Sequence, residues 1–543
     1  MKEIYYNGNI ITMEEQDAES AKRNAPEAVL VEDGIIKRVG MLKELAAAAE
    51  RGVKYYDLNG RCLMPSFIDS HSHYVMNAQL SMCADLSGCK SFEDIVETLT
   101  QYIEKNNIKA KHAVLGFGYD HNFLAEEKHP DKNVLDKVSK TIPILILHVS
   151  AHLACANSAA LELGSINSGT SDPAGGHIGR LEDGKEPSGY LEEAALMLVQ
   201  KAVAVRMKRD LKKIVKDAQR IYLQHGITTV QDGATDMQGF RLLKIFSVLH
   251  LLKLDVVAYP LMTAGGCDIM HKYGDTYQNY RSHLKIGGYK LVLDGSPQGK
   301  TAWLSIPYEN SGDYKGYAWL PDEEVERNIR IALDEEKQIL AHCNGDAASE
   351  QFLNAYGQAS TAANRKKDAR PVMIHCQTVR NDQIDRMAEW GMIASVFVGH
   401  VWFWGDVHMR NFGVERGNHI SPVQDMIKRG VVVNFHQDTP VTKPDMLHSV
   451  WCAANRTSRS GKVIGEEQKI SVYDGLKAIT VNAAYQYFEE KEKGTIKEGK
   501  KADLVVLDRS PLEVDRTELK SIKVIKTIKN GKVLYDAETT HRF

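Results

Sequence analysis

Eight short apolar runs that alternate with helical patterns constrain this chain more than any other feature, because that alternation is what βα units and a parallel sheet require. The runs are 63–69, 227–232, 255–261, 286–294, 338–342, 372–375, 393–397 and 431–435. Between them, 211–225, 323–336 and 382–390 place apolar residues at helical spacing. Eight repeats predict an α/β fold, a (β/α)8 TIM barrel. An open doubly wound sheet is the alternative, and it gives no reason for polar residues to gather at so many strand ends.

Polar residues do gather there. His71 and His73 follow the first run in Asp69-Ser70-His71-Ser72-His73, where strand alternation would project Asp69, His71 and His73 from one side. Lys290 lies in the fourth run, His342 ends the fifth, His375 ends the sixth, and Asp438 follows the eighth. A barrel carries its chemistry at the C-terminal ends of its strands, so these donors would meet at one mouth. Imidazole suits zinc, iron, nickel or copper better than magnesium or calcium. Taken singly, His342 and His375 also read as satisfied core histidines and Lys290 as a snorkelling lysine.

The ends of the chain have a different character. Short strands with Asn7-Gly8 and Asp33-Gly34 turns open it, and a similar style returns around 502–508, 522–528 and Asn530-Gly531. The expectation is one small β-sandwich built from both termini, with residues 1–63 as its N-terminal part and 491–543 as its C-terminal part, flanking a barrel over 64–490. The first and second runs lie too far apart for an ordinary βα connection, which predicts an insertion at about 77–205 after the first barrel strand, acting as a lid or pocket wall.

Composition narrows the partners. With 68 basic and 71 acidic residues and a formal charge of −3, the chain has no basic surplus, which argues against nucleic acid and anionic membranes and for a small-molecule substrate. No apolar run reaches a membrane-spanning length, and the eight scattered cysteines read as reduced thiols, so the expected location is cytoplasmic. Association into homodimers is left open.

Several longer motifs sharpen the picture: 65–73, 172–176 with 184–189, 226–232, Lys290-Leu291-Val292-Leu293-Asp294-Gly295-Ser296, Ala341-His342-Cys343-Asn344-Gly345-Asp346-Ala347, Ile374-His375-Cys376 and 494–504. In these the chain resembles, over nearly its whole length, the amidohydrolase superfamily and its amidohydrolase-3 branch of YtcJ-like and N-substituted formamide deformylase-like proteins. The resemblance implies a metal-dependent hydrolase of carbon–nitrogen bonds. It implies that His71 and His73 bind a more buried divalent ion, that His342 and His375 bind a more exposed one, and that Lys290 bridges them as a carbamate formed with CO₂. Asp438 would contact the first ion and serve as the base for a metal-activated hydroxide. Zinc is the expected metal, with one or two ions, and a one-ion site with unmodified Lys290 stays open.

Departures from the branch concern the pocket. Asn434-Phe435-His436-Gln437-Asp438 keeps the aspartate while its neighbours change, and an aromatic run, Phe397 to Trp404 with His400 inside it, replaces a glutamine-proline pair. His400, Trp303, Tyr119 and His152 are the expected substrate-binding residues. Related deaminases place a glutamate three positions after the strand-five histidine, and here that position is Gly345. An amide, N-acyl or N-formyl hydrolase is therefore favoured over a deaminase, which Asp346 keeps as an alternative; an ester or lactone hydrolase and a non-catalytic relative are the other readings. Gly295 to Thr301 has one residue too few between its glycines for a phosphate loop.

Overall fold

The computed structural model describes residues 2–49, 52–150, 152–208, 210–360 and 368–539. The chain divides into two compact units, Met1–Val75 with Ala218–Phe543, and Met76–Asp217.

In the larger unit, eight strands follow the expected order: β1 (Phe67–Ile68), β2 (Ile227–Thr235), β3 (Asp255–Pro260), β4 (Tyr289–Val292), β5 (Ile339–Cys343), β6 (Val372–His375), β7 (Ile393–Val396) and β8 (Val433–Phe435). They form two parallel arcs. One runs from β1 through β2 and β3 to Leu284–Ile286, the other from β4 through β5, β6 and β7 to β8. A parallel bridge between Leu261 and Lys290 links the two. Both faces of these strands are covered, so their residues are nearly all buried and read as continuous apolar runs rather than alternations. Helix Asp322–Asp334 shows the complementary pattern: it carries acidic residues in its first turn, where the helix dipole favours them, and buries Val325, Ile329, Ala332 and Leu333 on one face.

Two runs divide where sequence suggested single strands. In 63–69, Cys62–Pro65 pairs with Leu504–Leu507, and only Phe67–Ile68 pairs with β2. Pro65 has no N–H to extend a ladder, and Ser66 marks the crossing from one sheet to the other. His71 and His73 consequently stand on the loop beyond β1, not on alternate positions of a strand. The run 286–294 breaks at Gly287-Gly288. A β-carbon there would lie 2.4 Å from the Tyr259 ring or 2.3 Å from the Gln338 carbonyl oxygen, so only glycine lets the chain pass from β3 to β5.

Strands from the two termini share a sheet. Its order is Asn9–Ile10, Cys62–Pro65, Leu504–Leu507, Val524–Lys529 and Lys532–Asp536. A second sheet orders Ile35–Gly40, Ala28–Glu32, Lys2–Tyr6 and Val53–Asp57, and one apolar core joins the two through Tyr5, Val29, Ile36, Leu63, Leu504 and Ile528. The unit Met76–Asp217 has a six-stranded sheet of its own, with separate apolar clusters. All eight cysteines are free.

A buried ion network couples β3 to the terminal sheet. Asp255 accepts hydrogen bonds from Lys493 Nζ at 2.6 Å and Lys529 Nζ at 2.7 Å, and Lys529 also reaches Asp503 at 3.1 Å. Burial raises the Asp255 pKa, but the two lysines outweigh it and hold the carboxyl well below its usual range. Asp255→Ala should cost about 1.5–3 kcal/mol in chemical unfolding at pH 7, because Lys493 then keeps only Glu489 at 2.7 Å and Lys529 only Asp503 at 3.1 Å as anionic partners. A depressed folded-state pKa stabilises at pH values above the unfolded value and loses that contribution as pH falls toward the folded one. The gap between wild type and variant should therefore narrow only below about pH 4.

Candidate metal centre

The C-terminal ends of β1, β5, β6 and β8 bring the predicted donors together. His71 Nε2 lies 3.4 Å and His73 Nε2 3.2 Å from Asp438 Oδ1. His342 Nδ1 lies 3.0 Å from His375 Nε2, and the His71 and His375 rings are 5.4 Å apart between centroids. Asp438 Oδ1 is buried and has no aligned hydrogen-bond partner among the described residues, although two imidazole nitrogens stand within 3.4 Å. Donors this close that do not point at one another share a focus between them, as ligands of a common cation do.

Lys290 projects from β4 into the same interior. Its Nζ is buried and has no hydrogen-bond partner among the described residues. Burial, only partly countered by the Asp438 charge, brings its pKa down to about 7. A neutral amine can take up CO₂, whereas an ammonium here would repel both imidazolium and metal. Burial likewise keeps His342 and His436 neutral, each lowered to about 3, and holds His71 and His375 well below their usual value. Neutral imidazole is the form that binds metal. For Asp438, burial opposes ionisation, yet the adjacent His73, His375 and His71 hold it well below the usual carboxylate range, so it is a carboxylate. The donor set thus fits a divalent ion of the zinc type.

Residues outside the predicted set fix its geometry. Gln231 Oε1 lies 2.6 Å from His71 Nδ1, and Gln231 Nε2 donates to Ser70 O at 2.7 Å. An amide oxygen only accepts, so Nδ1 of His71 carries the proton and Nε2 keeps its lone pair toward Asp438. His436 Nε2 faces His375 Nδ1 at 3.2 Å while its Nδ1 meets Ser395 Oγ at 3.0 Å, a positioning arrangement behind β6. His436 stands two positions before Asp438, the spacing that puts both on one side of an extended strand, whereas nothing in the sequence marks Gln231 beyond its place in a motif. Both His375 (φ 78°) and Asp438 (φ 55°) hold left-handed backbone, a strain of about 1–3 kcal/mol each that surrounding contacts must offset.

The loop after β5 is equally constrained. Buried Asp294 accepts from the backbone N–H groups of Gly345 (2.7 Å), Asn344 (3.0 Å) and Trp303 (3.0 Å). A β-carbon on Gly345 would sit 1.8 Å from the Trp303 carbonyl oxygen, so no glutamate can occupy the deaminase position. His400 is buried beside Phe397 and Trp404, with its Nδ1 3.0 Å from His408 Nε2. Two expected substrate contacts lie in the other unit. Tyr119 is fully buried there with its hydroxyl engaged by His129 (3.0 Å) and Cys155 (3.2 Å), a packing arrangement that offers a ligand no surface. His152 is exposed and pairs with Glu193 at 2.9 Å.

The chain is similar to known proteins over nearly its whole length. The chain matches the amidohydrolase family over residues 54–535. The putative amidohydrolase YtcJ of Bacillus subtilis is 27% identical, over 99% of this chain and 100% of that protein. The N-substituted formamide deformylase of Arthrobacter pascens is 26% identical, over 98% of this chain and 97% of its own length. Among solved structures, an uncharacterized metal-dependent hydrolase from Pyrococcus horikoshii superimposes with a TM-score of 0.74 at 25% identity, covering 95% of this chain and 99% of that one.

Gln231→Leu removes the acceptor that sets the His71 tautomer. It should weaken zinc binding about 10- to 100-fold in chelator competition while the thermal midpoint of the metal-free protein changes little.

Proposed function

The chain belongs to the amidohydrolase family, and we propose that it hydrolyses an amide, N-acyl or N-formyl group of a small molecule with Asp438 as the base. It is a metal-dependent hydrolase acting on carbon–nitrogen bonds other than peptide bonds. The observation that carries the finer reading is the focus shared by His71, His73 and Asp438 beside an unpartnered, buried Lys290.

In this reading the two parallel arcs are a (β/α)8 barrel over 64–490. Residues 1–63 and 491–543 form a β-sandwich, and an insertion at about 77–205 follows β1. His71, His73, His342, His375 and Asp438 would hold one or two zinc ions, joined by Lys290 once its amine has taken up CO₂. When bound, such an ion makes water acidic enough to attack near neutral pH and polarises the scissile carbonyl. Asp438, kept ionised by its histidine neighbours, takes the proton from the attacking water and delivers it to the leaving nitrogen. His73 Nε2, 3.2 Å from Asp438 Oδ1, limits the arc through which that carboxylate turns. His400, the first residue of the helix that follows β7, and Trp303, in the segment after β4, would shape the substrate pocket. N-formyl amines are the first substrates to try, since one relative is an N-substituted formamide deformylase. Free thiols throughout suit a cytoplasmic location.

A panel of N-formyl, N-acyl, cyclic amide and ester compounds, tested on zinc-reconstituted protein, decides the matter. Turnover should appear on a carbon–nitrogen compound, vanish with chelator and return with zinc, and Asp438→Asn should lower kcat about 100- to 10,000-fold. Preference for the ester, or turnover indifferent to chelator, would overturn the reading. Lys290→Ala should lose both activity and bound metal; full retention of the two would remove Lys290 from the site.

A further inference from the structure

The unit Met76–Asp217 contains a second group of cation-binding side chains. Strands Val114–Tyr119 and Ile144–His148 are parallel neighbours whose register sets Tyr119 opposite His148, so both end at the same level. Asp120 and His121 follow directly after the first of them. His121 Nδ1 lies 3.3 Å from His148 Nε2, and Asp120 Oδ1 lies 3.4 Å from His148 Nε2 and 3.8 Å from His121 Nδ1.

Those separations have a definite chemical meaning. Zinc bonds to nitrogen and oxygen of about 2.0–2.1 Å place tetrahedral donors roughly 3.3 Å apart. The same spacing separates Asp438 from His71 and from His73. Supporting contacts resemble those of a ligand set. The His129 ring stacks on His121 with 4.0 Å between centroids and is itself held by the Tyr119 hydroxyl, which restricts rotation of the His121 ring. Ser150 Oγ lies 2.8 Å from His148 Nδ1 and can accept its proton, freeing Nε2 for a metal. The Ser150 N–H also approaches Nδ1, at 3.1 Å, so the ring without metal prefers the opposite tautomer and metal uptake includes its exchange. Asp120, fixed by the Asn122 backbone N–H at 3.0 Å, supplies the anionic ligand.

We propose that Asp120, His121 and His148 form a second transition-metal site, with zinc or a similar borderline cation on three protein ligands and a fourth position open to water or a small anion. The partial exposure of Asp120 and His121, 24% and 28%, leaves that fourth direction open. The site is confined to one unit and independent of the barrel donors. Binding only to the folded unit, the ion would raise its stability in proportion to its concentration above Kd.

The test uses the full chain, stripped with chelator and titrated with cobalt(II) as the probe. Wild type should show two separable sets of visible absorption bands, and His71→Ala with His73→Ala should keep one of them. His121→Gln and His148→Gln should each lose that retained set, bind one equivalent less by elemental analysis, and bind the cation roughly 100-fold more weakly or worse at this site. Asp120→Asn, nearly isosteric, guards against misfolding. Its metal-free thermal midpoint should match wild type while the zinc-induced rise assigned to this site disappears. Unchanged stoichiometry in all three variants, or no cation bound by the His71→Ala, His73→Ala chain, would overturn the proposal.

Discussion

Enclosing four imidazoles, a lysine and a carboxylate in one interior is costly unless something answers their lone pairs and charges, and on that condition the larger unit is organised. Burial keeps His71, His342 and His375 neutral, and His342 lies against His375 and His375 against His436 within hydrogen-bond distance. Lys290 Nζ and Asp438 Oδ1 are left over. A divalent cation held by His71, His73 and Asp438 would answer the second of these. Left-handed backbone at His375 and Asp438 fits the same account, since donors must be aimed at a point rather than at the nearest neighbour.

Much of this was legible in the residues. Strand ends declared themselves because buried parallel strands read as apolar runs and their final residues were His, Lys or Asp. What escaped the reading depended on contacts between distant segments. The break at Gly287-Gly288 is set by the Tyr259 ring and the Gln338 carbonyl, neither of which a local pattern reveals. Gln231 looked like one more polar residue in β2 until its oxygen stood beside His71. Tyr119 is buried with its hydroxyl against His129 and Cys155, contacts that no local pattern reveals. Asp120, His121 and His148 were separate polar residues in the sequence, joined only by the register of two parallel strands.

The loop after β5 is fixed sterically and by hydrogen bonds. The Gly345 position is roofed by the Trp303 carbonyl, and Asp294 locks both backbones with three hydrogen bonds. This loop leaves no room at Gly345 for even a methyl group. Beyond β7, the buried His400–His408 pair packs with Phe397 and Trp404.

The sheet shared by both ends of the polypeptide has a consequence for biosynthesis. Cys62–Pro65 leaves the ribosome hundreds of residues before Leu504–Leu507, the strand it pairs with. Until translation finishes, that segment presents an unpaired apolar edge, and the first barrel strand beside it lacks its anchor. Chaperone protection of the nascent chain, and rapid disposal of any prematurely terminated product, are what such a late closure demands of the cell.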